Sequence, residues 1–410
     1  MLAKPRTAIF PVFGWTYLSR EALRDAEAQL QSSGEGMRDE IGFLLIHSRF
    51  ADHFFPGTSV LQTRLRYVLF VPWMYRALQE RRKELRGRGA AELETRLAAR
   101  LRDWAHKNGQ SGVIGERNTK RMMISRPSAA YWQALKTWKL IEPGNRGRLA
   151  WERSLEKVRR KGDPELEEED DEDLVGLVDA DFPPAPPEFL EEDREIGFVL
   201  GPQERDYLRG KLRQLKSPEG TLSLLAKLVD ADTSLFDSGE CFSDPVIKMA
   251  GEDAGRLKRA AGASALCGVG RGVYAALVEQ LREQDKIFDT TYRDDLIRAS
   301  AKLAPRALTL DVDAMESDLK MEIGPHLHRV LLETQAWLRD GTQDVTVLMD
   351  AYRDAEWNKK KRRSCLQENF TGRERRGEWR LDPALGGSRA AVPLHYRWGK
   401  VQQLLKDLAG

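Results

Sequence analysis

Asp318-Leu319-Lys320, preceded by Asp311 and Asp313, is the nearest this chain comes to a catalytic pattern. Carboxylates followed by an acid-x-lysine triplet can hold a divalent cation beside an ammonium that steadies the attacked phosphate, as metal-dependent nucleases require. In a chain with 32% charged residues such triplets arise by composition alone. His326 and His328 stand two apart in a stretch of helical periodicity, so they face different sides and do not share a metal. Gly268-Val269-Gly270-Arg271-Gly272 has the glycines of a phosphate loop, but no strand pattern precedes it and no Lys-Ser/Thr pair follows. It reads as a tight connection between two helices. No His-x-Lys signature of a phospholipase-D nuclease and no Walker pair occurs. Cys241, Cys267 and Cys365 lie far apart with no Cys-x-x-Cys, which argues against zinc or a disulfide framework and fits a reduced cytoplasm. No catalytic residue, metal or cofactor is expected.

The cations are a stronger signal. Net charge is only +2, yet between Arg353 and Arg380 ten Lys or Arg stand against five acids. Lys359-Lys360-Lys361-Arg362-Arg363 leads the run, and Arg373, Arg375 and Arg376 follow. Five consecutive cations repel one another and are either solvated at a helix end or matched to a polyanion. Trp357 and Trp379 flank the run, where they could stack on exposed bases or anchor a loop to the core.

A second basic region spans residues 112–152. Arg126-Pro127-Ser128 starts a helix with Tyr131, Trp132, Leu135 and Trp138 on its apolar face; the turn residues Pro143-Gly144-Asn145-Arg146-Gly147 follow, then Arg148-Leu149-Ala150-Trp151 as a returning strand. Helix plus basic hairpin is the outline of a winged helix. In that reading Arg126 borders a groove, Arg146 and Arg148 approach phosphates from the wing, and Lys120, Arg121, Lys136 and Lys139 add sequence-independent contacts. The same outline also serves protein interaction. Arg64 and Arg66, in the aromatic stretch 37–78, complete the candidate nucleic-acid set.

The chain that carries these residues reads as mainly α-helical, built of many helices in several domains. The chain is long enough for several domains: a helical domain at 1–160 with the winged-helix-like unit, an acidic linker at 161–195, a helical domain at 196–350, and a basic segment with a docking helix at 351–410. The linker holds sixteen Asp or Glu against one Arg between Asp163 and Glu195. That composition buries too little apolar surface to order itself. It is a solvated spacer or a nucleic-acid mimic covering the chain's own basic surface. In the stretch 37–78, apolar spacing predicts a helix to Phe55, a break at Pro56-Gly57, and a second helix capped by Thr58 or Ser59 that Pro72 kinks or divides. Val392–Leu408 carries a closing apolar stripe that docks on the body. No secretory leader is expected, and the run 67–74 is too short to span a bilayer.

Several of these segments are long enough to carry a resemblance. Gly14-Trp15, Arg38-Asp39-Glu40-Ile41-Gly42, Phe54-Phe55-Pro56-Gly57-Thr58-Ser59, Gln62-Thr63-Arg64-Leu65-Arg66-Tyr67 and Phe70-Val71-Pro72-Trp73-Met74-Tyr75-Arg76 come first. Gly112-Val113-Ile114-Gly115, Arg126-Pro127-Ser128-Ala129-Ala130-Tyr131-Trp132 and Pro393-Leu394-His395-Tyr396-Arg397-Trp398 follow in order. In this the chain resembles an uncharacterised bacterial family of unknown function. The resemblance implies a cytoplasmic protein encoded in anti-phage defence islands, with a helicase and a phospholipase-D-type nuclease as partners. It supplies no catalytic residues. The expected role is therefore a non-catalytic defence subunit that binds DNA or scaffolds those partners; a purely protein-binding adaptor and a metal nuclease using Asp318 and Lys320 are the alternatives.

Overall fold

Between Ala260 and Val278 the only charged residue is Arg271. A helix apolar on every side belongs inside a protein, and this segment lies within Ala254–Gln284, the longest helix of the computed structural model. The structure describes residues 39–80, 89–116, 126–142, 148, 152, 178–179, 181–191, 193–237, 239–288, 291–320, 322–379 and 390–410. Its α-helices of five or more residues are α1 Phe43–Phe54, α2 Tyr67–Glu80, α3 Ala90–Lys107, α4 Pro127–Thr137, α5 Pro202–Leu212, α6 Leu224–Leu228 and α7 Asp244–Ala250. The long helix is α8; α9 Tyr292–Ala307, α10 Val312–Leu319, α11 Pro325–Asp340, α12 Met349–Lys360, α13 Phe370–Glu378 and α14 Trp398–Ala409 follow.

Helix α8 is packed by α1, α7, α9, α10, α11 and α13. The stretch Asp244–Gln284 is long and apolar enough to cross a bilayer, but its apolar window is 94% buried inside the fold, as a core helix is. Its glycines do not end it. A Cβ on Gly270 would lie 2.6 Å from the Phe43 ring, and one on Gly268 would lie 3.0 Å from Pro393 Cα. The expected helix–helix connection at 268–272 is thus the middle of one helix, with glycine serving close approach instead of a turn.

The aromatic stretch makes a second packing centre. Helix α2 begins only at Tyr67 and continues through Pro72, so Pro72 does not divide it. Thr58 and Ser59 do not cap it either: the Thr58 hydroxyl donates to Phe55 O, and Ser59 Oγ accepts from Leu61 N–H. Residues 58–66 form an irregular segment that other motifs satisfy. Tyr131 Oη on α4 accepts from Thr63 N–H at 2.8 Å and Arg64 N–H at 3.0 Å, and donates to Arg64 O. Gly57, at φ +80°, gives way to the Trp138 indole, whose Nε1 donates to Pro56 O.

No strand occurs among the described residues; the β-pairing present is two isolated bridges, Ile141 with Val178 and Lys216 with Leu222. Arg148 and Glu152 are helical and joined by an i,i+4 ion pair, where a returning strand was expected. The winged-helix hairpin is therefore not supported. The turn 143–147, Gly14-Trp15 and residues 161–177 of the acidic linker lie outside the described residues. The end of that linker is docked: Phe182 is buried, and Pro183 O accepts from Trp73 Nε1.

Candidate nucleic-acid interface

The run Lys359–Arg363 falls at the C-terminus of α12, where cations oppose the partial negative charge of the helix end. Lys361 stops the helix at φ 52°, ψ −124°, and Lys361–Arg363 form a single 3-10 turn. Ser364 locks it, its N–H and hydroxyl both donating to Lys361 O. Beneath the turn lies fully buried Glu356. Its carboxylate accepts from Tyr274 Oη at 2.6 Å, from Cys365 and Leu366 N–H at 2.8 Å each, and from Lys360 Nζ at 3.0 Å. Burial alone would lower the Lys360 pKa, but Glu40 and Glu356 outweigh it and raise it.

Helix α13 is fixed to the same base. Asn369 caps it by accepting from Gly372 N–H. Arg376 is buried; it donates to Asp285, Cys365 O and Gln367 O, while Arg282 donates to Arg376 O and Trp379 O. Buried charge-assisted hydrogen bonds of this kind are strong and directional. They hold the turn and α13 as one platform.

The cations divide into those that build the platform and those that project from it. Lys359 pairs with Asp39, and Lys360 with Glu40. Lys361, Arg362 and Arg363 are exposed and make no ion pair among the described residues. Arg373 and Arg375 are also exposed, reaching Asp285 at 3.5 Å and Glu378 at 3.3 Å; pairs this exposed yield readily to another anion. Trp357 is 42% exposed on the last turn of α12. Trp379 is 8% exposed, packed edgewise against Tyr274 and Tyr292, with Nε1 donating to Glu40. It is a core residue. Phe370, which sequence reasoning passed over, is 75% exposed at the first position of α13. The signal was an aromatic just after a capping Asn in an otherwise polar helix.

The remaining candidates lie elsewhere. Arg64 is buried, gripping Asp407 of α14 with Nε and Nη2 and donating through Nη1 to Gln110 and Ser111 O. Arg66 is buried against Glu204, donating from Nε at 2.9 Å and Nη2 at 2.7 Å. Arg126 donates to Glu152 at 2.9 Å and lies 3.6 Å from Glu94; Arg148 donates to Glu152 from the other side. Burial pushes the Glu94 carboxyl up to about 7, against the pull of Arg126. Lys136 is exposed on α4, whereas Lys120, Arg121 and Arg146 lie outside the described residues.

The acid-lysine triplet is not assembled as a metal centre. Both Asp318 oxygens are held by Arg259, with Arg256 Nε 3.4 Å away. Lys320 Nζ leans toward Glu219 instead, at 3.9 Å.

Compared with known proteins, residues 13–244 match the model of a family described as of unknown function. No curated protein and no solved structure matches the chain.

Proposed function

We propose that this chain, which belongs to the DUF6361 family of unknown function, is a non-catalytic subunit that binds nucleic acid by its phosphate backbone, leaving chemistry to partner proteins. The observation that carries this reading is the exposed trio Lys361-Arg362-Arg363, which makes no ion pair among the described residues, beside Arg373 and Arg375 and mounted on a buried charge platform. Holding like charges together in water is unfavourable unless a polyanion neutralises them. A rigid mounting lowers the ordering cost of binding. The anti-phage setting, with a helicase and a phospholipase-D-type nuclease as partners, belongs to the same proposal and rests on the motif resemblance.

The test is fluorescence polarisation of labelled DNA with the purified chain and with a Lys361→Gln/Arg362→Gln/Arg363→Gln variant at low salt. The reading expects binding that drops at least tenfold in the variant. Absence of binding at low salt would leave a protein-binding adaptor in its place.

A further inference from the structure

We infer that the basic platform takes single-stranded nucleic acid, with bases stacking on exposed aromatic rings; this rests on the backbone-binding reading above. Among the described residues the exposed Phe and Trp side chains are Phe288 at 77%, Trp357 at 42% and Phe370 at 75%. Trp357 and Phe370 adjoin the cations along their helices. Trp357 lies one helical turn before Lys361, whose N–H bonds to Trp357 O. Phe370 lies one turn before Arg373, on the same face of α13. Phe288 is three residues beyond Asp285, the carboxylate that holds Arg373 and Arg376.

Large aromatic rings are normally buried, and this fold buries most of the others. Leaving Trp357 and Phe370 in water beside these cations is unfavourable for the free protein. The arrangement becomes favourable when each ring meets a π face while a phosphate meets the neighbouring cation. A duplex hides its base faces within the stack, so it engages the cations alone. Unpaired bases in a single strand offer both groups at once, and stacking is tolerant of sequence. An acidic protein segment would use the cations and gain nothing particular from flat rings.

Trp357 and Phe370 are both exposed, so Trp357→Ala and Phe370→Ala remove ring area without opening the core. Affinities of the full chain for a poly-dT oligonucleotide, a duplex of equal length and heparin, measured at one salt concentration, decide the matter. The inference expects poly-dT to bind tighter than duplex, and each ring removed to weaken poly-dT binding about tenfold with duplex and heparin unchanged. Intrinsic tryptophan fluorescence should be quenched when poly-dT binds, and less so in Trp357→Ala. Duplex binding as tight as poly-dT, or aromatic variants with unchanged poly-dT affinity, would overturn the stacking inference while leaving backbone binding intact. Failure to bind all three ligands would overturn both.

Discussion

His47 shows most sharply what individual side chains do in this fold. It is buried against Tyr396 and His395, and neither ring nitrogen has a hydrogen-bond partner among the described residues. Burial, reinforced by His395, Arg397 and Arg271, pushes its pKa down to about 3. Glu94 is displaced the other way, to about 7. The signs oppose. Below about 6.5 the unfolded chain protonates its histidine and the native state does not, so His47 costs stability as pH falls. Above about 4.5 the unfolded chain ionises its glutamate first, so the stabilisation from neutral Glu94 is lost as pH rises through 7. Between pH 5 and 6.5 each changes stability by about 1.5 kcal/mol, in opposite directions. Denaturant melts should therefore show His47→Leu becoming relatively more stable toward acid than the wild type, and Glu94→Gln relatively less. Parallel profiles for all three proteins would refute the assignment. The buried arginines give a second residue-scale outcome. Arg66→Ala strands the Glu204 carboxylate and should cost about 3–5 kcal/mol, with nucleic-acid affinity unchanged in the protein that remains folded.

At the scale of elements, periodicity in the sequence located helices well where one face is apolar, as in α1 and α14, and poorly where packing overrides local preference. Nothing local distinguishes a glycine that ends a helix from one that admits a neighbour. Gly268 and Gly270 do the latter because Pro393 and Phe43, 125 and 227 residues away in sequence, press on the α8 backbone. Gly270→Ala should thus destabilise by about 1–3 kcal/mol through overpacking, although alanine is the better helix former; a thermal melt at or above the wild-type midpoint would contradict this. The turn after α12 was legible as charge but not as shape. Lys361 sits at φ 52°, a conformation that favours glycine. Lys361→Gly should raise stability by about 1 kcal/mol while weakening DNA binding, a split that a purely structural lysine would not show.

Over the whole molecule, the motifs that look most distinctive in the sequence act as joints between distant segments. Arg64 reaches Asp407, Arg66 reaches Glu204, and Arg397 reaches Asp52 and Thr58 O. These bonds cross the boundaries expected near 160, 195 and 350, and buried apolar residues from Ile41 to Leu408 form one core cluster. Such pairings have no local signature: an arginine matched to a carboxylate 343 residues away reads in sequence like one awaiting a phosphate. The basic run 359–363 was visible, but its division into platform and projecting residues needed Asp39, Glu40 and Glu356 in place. The measurement closest to the central claim is the salt dependence of duplex DNA affinity for the wild type and the Lys361→Gln/Arg362→Gln/Arg363→Gln variant. The account predicts a steep fall of affinity with salt, and a log–log slope about 2 to 3 units shallower in the variant at unchanged thermal stability. Equal affinities and equal slopes in the two proteins would contradict it.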